Sequence, residues 1–338
     1  LAANGDVKNR VFHKVDSTLE VNAMRLETDD KDVILLSVDT LFVSEEVKTF
    51  CLDFLSKKFH FNEEQLFLSA SHTHYAPMID QSKSNLGIVN DDYMAWFYEE
   101  LKYLLEELMT KPTKPVIIKY SKTVAVDLSI SRRKKAWGFF KKIIPSYKMK
   151  LYPNKKTDID RDVYIINFYN LNESEILATC WSFACHPVMY HSQNNITSHF
   201  PGAIRDSFRK SLNKEYPILF FQGFSGDIRP QNFNQSNNLK SKVIKIINSG
   251  RSFSDFTNQT YQKWIENLRE NLLGNFQSSQ TVLNDLDLKK VFEKIKLSKV
   301  FETKVDQDIT FHSISLSDEF VLIAVSAEVV SKYAIKIK

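Results

Sequence analysis

The sequence predicts an α/β fold in which mixed β-sheets are flanked by helices. The main observation is that short apolar runs of strand length alternate with longer amphipathic segments along the 338 residues. A hydrophobic content of 43% and a charged content of 25% are ordinary for a globular protein with a buried core. No repeat and no long linker divides the chain, so we expect a single large domain over residues 1–338.

The order of the elements follows from the apolar pattern. Short apolar runs predict strands at 33–38, 66–70, 116–120, 124–130 and 218–222. Apolar residues at helical spacing predict helices at 44–59, 91–109, 201–212 and 252–273. Two hairpins are predicted, because polar turns join apolar runs at 163–168 and 176–184, and at 309–316 and 320–325.

Charge and cysteine content exclude several classes of protein. The formal net charge of +4 is too small for a chain of this size to indicate nucleic-acid binding. Cys51, Cys180 and Cys185 are odd in number and lack Cys-x-x-Cys spacing, which predicts buried thiols rather than a disulfide framework or a structural zinc site. The sequence contains neither a membrane-spanning apolar run nor a signal pattern, which slightly favours the cytoplasm and leaves the compartment open.

One segment is strongly basic. Between Ser131 and Lys150 there are eight basic residues and no acidic one, and aromatic residues are interleaved with them. Such a segment suits contact with phosphates or anionic headgroups, and we expect peripheral membrane contact through residues 132–150. The alternative is a solvated loop whose aromatic side chains pack on the domain.

Two histidines follow a predicted strand directly. In Ser71-His72-Thr73-His74-Tyr75-Ala76-Pro77, the two imidazoles are two residues apart, a spacing that places side chains on one face of a strand. Histidine is a frequent zinc ligand and a frequent acid or base, so the pair predicts metal binding or catalysis. The alternative is that one histidine caps a turn and the other is solvated.

Polar residues also follow three further predicted strands. His186 follows an apolar run in Phe183-Ala184-Cys185-His186-Pro187, and Asp227 and Arg229 follow the loop that contains Gly223 and Gly226. The two glycines allow a close approach to a ligand, although an ordinary turn explains them equally. Glu328 follows the final predicted strand, where it is expected to be paired or bound to metal, or else to begin a helix capped by Ser326.

These four strand ends together resemble the neutral/alkaline (non-lysosomal) ceramidases. The histidine pair is similar to that family's Thr-His-Thr-His-Ser-Gly-Pro, and Phe183-Ala184-Cys185-His186-Pro187 is similar to its Phe-x-x-His-Pro. Gly226-Asp227-Ile228-Arg229-Pro230 resembles its Gly-Asp-Val-Ser-Pro-Asn, and Val325-Ser326-Ala327-Glu328 resembles its Pro-Gly-Glu segment. Weaker similarities lie at 37–39 and 131–133, and the motifs run in the family's order from about residue 33 to 330.

The resemblance implies a catalytic Zn²⁺ bound by His72, His186 and Glu328, with a tyrosine from further downstream completing the set. His74 would contact the substrate or transition state beside the metal, and Arg132 or Arg133 would line the site. Asp227 and Arg229 belong to the matched loop and are candidate catalytic residues. Two imidazoles and a carboxylate leave a zinc position open, where bound water is activated to attack an amide carbonyl.

Two features depart from the family pattern. Arg229 occupies the position of the family's active-centre serine; arginine has no nucleophilic oxygen, and it favours an anionic substrate group such as carboxylate or phosphate. Tyr333 lies too close to Glu328 to be assumed equivalent to the family's tyrosine. Either that tyrosine lies outside the given chain, or the metal site of a shortened relative is weaker or lacking, and no C-terminal immunoglobulin-like domain is expected within 1–338.

The sequence therefore predicts a zinc-dependent amidohydrolase of an N-acyl substrate, an N-deacylase related to ceramidases. The loss of the serine favours attack by metal-bound water and a small-molecule substrate, lipid or anionic, that is more polar than ceramide. The resemblance also allows a secreted or periplasmic protein. The alternative is a non-catalytic relative that binds an anionic ligand through Arg132, Arg133 and Arg229 or a membrane surface through 132–150.

Overall fold

The computed structural model describes residues 11–28, 31–140, 144–188, 194–231, 258–276, 280–283, 289–296 and 308–338. The helices within these ranges are α1 (Glu45–Phe59), α2 (Asp91–Thr110), α3 (His199–Leu212), α4 (Asn258–Phe276) and α5 (Ser331–Ile337). The strands are β1 (Lys14–Val15), β2 (Val21–Glu27), β3 (Asp32–Val38), β4 (Leu66–Ala70), β5 (Val116–Val124), β6 (Ser129–Phe140), β7 (Ile144–Asn154), β8 (Asp162–Asn170), β9 (Ile176–Phe183), β10 (Asn195–Ile196), β11 (Ile218–Gln222), β12 (Ile228–Pro230), β13 (Thr281–Val282), β14 (Lys289–Lys296), β15 (Asp308–Ser317) and β16 (Phe320–Val325).

Two mixed sheets form the centre of the fold. In the first, β3 lies between β2, to which it is antiparallel, and β4, to which it is parallel. The second has the order β11-β9-β8-β5-β13, with β11 parallel to β9 and the other neighbours antiparallel. Apolar side chains from both sheets share one buried cluster, so the sheets pack face to face. Helices α1 and α2 cover the outer face of the first sheet, and α3 and α4 cover the second. The α/β prediction with mixed sheets is confirmed.

Strand β3 illustrates why the sheet strands have continuous apolar sequences. Val33 and Leu35 lie in the cluster between the sheets, whereas Ile34 and Leu36 lie in the cluster under α1 and α2. All four side chains are fully buried. A strand covered on both faces has no polar face to alternate with, and its sequence becomes a run of apolar residues.

The first two helices begin and end where their sequences indicate. The Ser44 side chain accepts a hydrogen bond from the Val47 amide at 3.2 Å, and α1 ends at His60 in the left-handed conformation, with φ 61°. Asn90 caps α2 in the same way, through the Tyr93 amide at 2.8 Å. Side-chain oxygens at these positions satisfy amide groups that the first turn leaves without partners, which confirms the helices predicted at 44–59 and 91–109.

Some predicted boundaries are wrong. The strand expected at 124–130 does not exist as one element, because Val124 ends β5, Ser129 begins β6 and Asp127 turns the chain between them with φ 58°. Helix α3 begins earlier than expected, at His199. The helix expected at 252–273 is described from Asn258 to Phe276, and 252–257 lie outside the described residues. Both predicted hairpins are confirmed.

Several strands had no counterpart in the prediction. Strand β2 pairs with β3, and β14 pairs with β15 to complete a sheet with β16. In the basic segment, β6 and β7 form an antiparallel ribbon, and β12 adds three residues to its base. The backbone at 132–140 and 144–150 is therefore extended strand, not the loop that was the alternative. No described helix is long and apolar enough to cross a membrane.

A buried ion-pair network joins the first sheet to α3. The Arg205 guanidinium lies 2.9 Å from the Asp39 carboxylate and 3.1 Å from that of Glu20. Arg209 makes two further hydrogen bonds to Glu20, at 2.7 and 2.9 Å. Burial raises the pKa of Glu20, but the Arg209 hydrogen bonds and the Arg205 charge outweigh it, so the pKa is lowered. Asp39 directly follows β3, and the network therefore fixes the carboxyl end of that strand.

Candidate metal centre

His72 lies in a strained turn just after β4. The Ser71 amide continues the strand ladder by donating to the Val38 carbonyl at 2.8 Å, and His72 then adopts a left-handed conformation with φ 63°. This conformation is uncommon for a residue with a Cβ, and such strain is found preferentially at functional sites. The expected arrangement on one strand face is wrong, because both histidines lie beyond the strand end. Their rings are nevertheless neighbours, with centroids 5.2 Å apart at an interplanar angle of 89°.

His186 lies where the neighbouring parallel strands β9 and β11 end. Its Nδ1 hydrogen-bonds to the Ser225 carbonyl at 2.8 Å, and its amide donates to the Ile228 carbonyl at 3.3 Å. The Gln222 side chain donates to the Cys185 carbonyl at 2.9 Å. The loop after β11 therefore holds the segment after β9, and the His186 side chain is only 1% exposed.

Both glycines of that loop are needed for backbone packing. A Cβ on Gly223 would lie 2.8 Å from the Ala184 backbone, and one on Gly226 would lie 2.8 Å from the Glu328 carbonyl oxygen. The Gly226 amide also donates to the Val329 carbonyl at 2.8 Å. Close backbone approach therefore explains both glycines without a ligand. Gly223 lets the segment after β9 lie against the loop, and Gly226 does the same for the segment that carries Glu328.

Glu328 does not begin a helix. Helix α5 begins at Ser331, and the Ser326 hydroxyl accepts from the Thr310 amide at 2.8 Å, so the alternative of a helix capped by Ser326 is wrong. The Glu328 carboxylate instead pairs with the Arg132 guanidinium at 2.7 Å. Arg132 also donates to the Gly226 carbonyl at 3.0 Å, which fixes the guanidinium beside the carboxylate.

Asp227 holds the start of α5. Its Oδ1 accepts from the Ser331 amide at 2.8 Å, and the residue is 9% exposed. A carboxylate at a helix N-terminus stabilises both the free amide and the helix dipole. A positioning role for Asp227 therefore accounts for its contact, and its proposed catalytic role stays a prediction.

His72 and Glu328 both contact the Nε2 atom of His186. The Nε2 atoms of the two histidines are 3.2 Å apart, and the Glu328 Oε1 lies 3.0 Å from the His186 Nε2. The His72 Nδ1 lies 2.9 Å from the Leu41 carbonyl, just as the His186 Nδ1 lies beside that of Ser225. A carbonyl oxygen only accepts, so each Nδ1 carries the proton in the neutral ring and each Nε2 presents a lone pair.

Burial and the neighbouring groups keep His72, His186 and Glu328 in the protonation states that bind a metal. It lowers the pKa of both His72 and His186, which favours neutral imidazoles at neutral pH. Burial raises the pKa of Glu328, but its neighbours outweigh this effect and hold that pKa well below its usual value. With both imidazoles neutral, the neighbour that keeps the carboxylate charged is Arg132. Three acceptor atoms thus face one another, an arrangement that a cation stabilises.

The two separations measured from the His186 Nε2 atom fit zinc. Zn–N and Zn–O bonds of about 2.0–2.1 Å place neighbouring ligand atoms of a tetrahedral site about 3.3 Å apart. The observed separations of 3.2 and 3.0 Å are close to that value. The carbonyl contacts of both Nδ1 atoms are also the outer-shell partners that metal-binding histidines use to fix their orientation.

His74 lies beside this cluster. Its ring centroid is 5.9 Å from that of His186, and one ligand atom from each of the three histidines lies within 4.8 Å of the other two. His74 therefore forms an alternative ligand set with His72 and His186. The His186–Glu328 contact of 3.0 Å is shorter than this limit and close to tetrahedral spacing, so we favour His72, His186 and Glu328 as ligands with His74 as their neighbour.

The three arginines predicted to line the site or bind an anion differ in solvent exposure. Arg132 contacts Glu328, Arg133 is exposed on β6, and Arg229 on β12 is only 2% exposed. Burial lowers the pKa of Arg229 to about 9, with a further decrease from the Arg132 charge and an opposing increase from Cys185. Arg229 is therefore buried near Cys185 and Arg132, and its surface is not accessible to a substrate anion in this conformation.

A cavity of about 460 Å³ adjoins His72 and Glu328. The sequence did not indicate it, because its walls come from β4, β16 and the loops after β3 and β11. Its lining combines aromatic with charged side chains, among them Phe42, Phe67, Phe221, Lys48, Lys83 and Asp80. Phe42 packs edge-on against the His72 ring, with centroids 5.2 Å apart. This volume is within the range of small-molecule sites.

Two solved structures resemble this arrangement of sheets and helices. One is a crystal structure of neutral ceramidase from Pseudomonas aeruginosa, with a TM-score of 0.56 and 15% identity over 84% of this chain and 43% of that chain. The other is a ceramidase complexed with C2, with a TM-score of 0.60 and 13% identity over 86% and 44% of the two chains. The chain has the fold of part of a ceramidase.

This ceramidase-like fold is found without close sequence similarity. No family model matches the sequence, and no curated protein does either. The chain spans less than half the length of the two ceramidases. At 13–15% identity the likeness concerns the fold alone.

Proposed function

We propose that this protein is a zinc-dependent hydrolase of N-acyl amide bonds. The observation that carries the proposal is the convergence of the Nε2 atoms of His72 and His186 with the Glu328 carboxylate, at separations of 3.2 and 3.0 Å. When bound, zinc lowers the pKa of water to about 7 and polarises a carbonyl group. The ceramidase-like fold supports an amide as the bond that is cleaved.

The chain's own residues supply positioning and proton transfer. The carbonyls of Leu41 and Ser225 hold the two ligand imidazoles, and Arg132 holds Glu328. His74 lies next to the ligands, with both ring nitrogens buried, and we propose that its ring donates to the developing oxyanion or protonates the leaving amine. None of these positioning and proton-transfer roles requires a serine nucleophile.

The cavity next to His72 supports a substrate that is more polar than ceramide. Phe42, Phe67 and Phe221 offer apolar surface, while Lys48 and Lys83 line the same space. A lipid with two long chains is bound best by uniformly apolar walls, because each charged wall group must be desolvated. We therefore propose a small-molecule N-acyl substrate with a polar or anionic group. Peripheral membrane contact through 132–150 stays a proposal, on which the structural neighbours do not bear.

Metal removal is the direct test of the proposed function. We expect the purified protein to contain about one zinc per chain and to hydrolyse members of an N-acyl substrate panel. A zinc chelator should abolish hydrolysis, its non-chelating isomer should not, and Zn²⁺ should restore activity where Mg²⁺ does not, because imidazole ligands disfavour Mg²⁺. A protein that binds no zinc, or one whose hydrolysis survives metal removal, would contradict the proposal.

Replacing Arg229 by serine tests whether this chain lacks ceramide hydrolysis because it lacks the serine of the ceramidase motif. We expect Arg229→Ser to retain zinc and to gain no ceramide hydrolysis, because the position is only 2% exposed and is closed to a substrate. Zinc content and ceramide hydrolysis are measured for this variant and for Arg229→Lys, which keeps the charge. A large gain in ceramide cleavage by the serine variant alone would show that a serine-centred mechanism operates in this fold.

A further inference from the structure

The turn that carries His72 and His74 is bonded twice to Thr197. The Thr73 hydroxyl donates to the Thr197 carbonyl at 3.0 Å, and the Thr197 amide donates to the Tyr75 carbonyl at 3.1 Å. Thr73 and Tyr75 are fully buried, and Thr197 is 3% exposed. His74 therefore lies between two residues that are both bonded to the same partner. We call residues 72–75 the histidine turn.

Thr197 is itself fixed by the segment that contains β1. Strands β1 and β10 pair in parallel, and the Asp16 amide extends this pairing by donating to the Ile196 carbonyl at 2.8 Å. The Ser17 hydroxyl lies 2.8 Å from the Thr197 hydroxyl and accepts from the Ser198 amide at 3.0 Å. The partner of the histidine turn is therefore held in place by several hydrogen bonds of its own.

The backbone of the histidine turn needs such support. His72 adopts a left-handed conformation with φ 63°, and a conformation of this kind persists only where the surrounding structure over-determines it. The Leu41 carbonyl orients the His72 ring at 2.9 Å, but that contact does not fix the chain beyond His72. The contacts to Thr197 begin at the next residue, so they act on the part of the turn that carries His74.

We propose that Thr73 is a positioning residue for His74, and that it acts through its hydrogen bond to Thr197. This inference rests on the proposed function, in which His74 contacts the reacting group. An acid or base must lie within hydrogen-bond distance of the reacting atom, and a misplacement of about 1 Å costs about 100-fold in rate. Thr73 is fully buried and lies outside the lining of the cavity, so it acts without touching the substrate.

A second buried threonine allows a positioning role to be separated from a purely structural one. Thr179 is also fully buried, and its hydroxyl donates to the Asn167 side-chain oxygen at 2.8 Å. It lies on β9, seven residues before His186. Removal of either hydroxyl takes the donor from a buried acceptor, so both changes should destabilise the fold by similar amounts. Only the Thr73 hydroxyl belongs to the histidine turn.

Steady-state kinetics of Thr73→Val test the proposal, because valine keeps the shape of threonine and lacks the hydroxyl. We expect kcat for the best N-acyl substrate to fall about 10–100-fold, as for other groups that orient functional side chains. KM should stay nearly the same, because no substrate contact is lost, and zinc per chain should be retained. Thr73→Ser, which keeps the hydroxyl, should recover most of kcat. The matched control, Thr179→Val, should lower the free energy of unfolding to a similar extent and leave kcat unchanged.

Hydrogen exchange of residues 71–77, measured by mass spectrometry, tests the same contact without catalysis. Exchange in this segment should be about 5–10-fold faster in Thr73→Val than in the wild-type protein, the increase expected from loss of one hydrogen bond, and unchanged in Thr179→Val. Ser17→Ala loosens Thr197 from outside the turn, so it should increase exchange of the same segment to a smaller extent. This variant keeps the test available if Thr73→Val does not fold.

Three results would overturn the positioning role of Thr73. The first is an unchanged kcat in Thr73→Val, and the second is an equal loss of kcat in Thr179→Val. The third is loss of zinc from Thr73→Val, which would show that the contact holds the ligand His72 instead of His74. Failure of the proposed function looks different, since the wild-type protein would then show no zinc-dependent hydrolysis. In that case unchanged exchange of residues 71–77 in Thr73→Val would still overturn the role of this hydrogen bond.

Discussion

Replacement of either His72 or His186 by alanine is expected to release the metal and abolish amide hydrolysis. Each supplies one of the three converging ligand atoms, and both are buried. Loss of an outer-shell partner alone typically weakens metal binding about 10–100-fold, so loss of a ligand is expected to exceed this range. Zinc per chain after dialysis is measured by elemental analysis, together with hydrolysis of the best N-acyl substrate.

The matched control for these variants is His60→Asn. His60 is exposed and ends α1 in a left-handed conformation, which asparagine also tolerates. This variant should retain both zinc and activity. Stoichiometric zinc in either His72→Ala or His186→Ala would refute the ligand assignment.

The same measurement on His74→Ala separates the two ligand sets. If His74 only contacts the substrate, the variant keeps zinc and loses hydrolysis, by about 10²–10⁴-fold for a general acid or base. Loss of zinc from His74→Ala, combined with its retention in Glu328→Gln, would instead make the three histidines the ligands.

Replacement of Arg205 by methionine is expected to destabilise the fold by about 3–5 kcal/mol. The side chain is 4% exposed, and its removal leaves the Asp39 carboxylate, itself 2% exposed, without its cation. Breaking one partner of a buried pair costs more than the pair contributes, because the remaining charge stays desolvated. The free energy of unfolding is measured by urea titration, followed by circular dichroism.

Arg161→Met is the matched control for Arg205→Met. Arg161 lies 3.9 Å from Asp158, whose side chain is 84% exposed, and pairs of this kind contribute about 0–1 kcal/mol. Addition of Asp39→Asn to the Arg205 variant should recover part of the loss, since it removes the uncompensated charge. Equal effects of Arg205→Met and Arg161→Met on unfolding would contradict the buried-network interpretation.

The sequence predicted the helices and central strands best where local signals agree with burial. Ser44 and Asn90 are capping residues in the right place, and β3 is apolar throughout because both of its faces are covered. Strand β2 was missed because its buried face includes Asn22, which accepts a hydrogen bond from the Ile218 amide at 3.3 Å. A polar residue with a buried partner interrupts the pattern from which strands are recognised.

The residues of the candidate metal centre were recognisable from the sequence, but the backbone groups that orient them were not. His72, His186 and Glu328 are residue types that bind metals and that follow apolar runs. The carbonyls of Leu41 and Ser225, which orient the two imidazoles, carry no signal of residue type, since every residue has the same backbone group. The left-handed backbone conformation of His72 could not be predicted either, because no glycine at this position indicates a positive φ.

The candidate metal centre is assembled from residues that are far apart in the sequence. His72 and His186 are 114 residues apart, and Arg132 and Glu328 are 196 apart. A cation held between such distant positions is a cross-link that closes long loops of the unfolded chain. If zinc binds as proposed, metal binding and folding are coupled equilibria, in which free zinc increases the population of the native state and partly unfolded chains lose the ion.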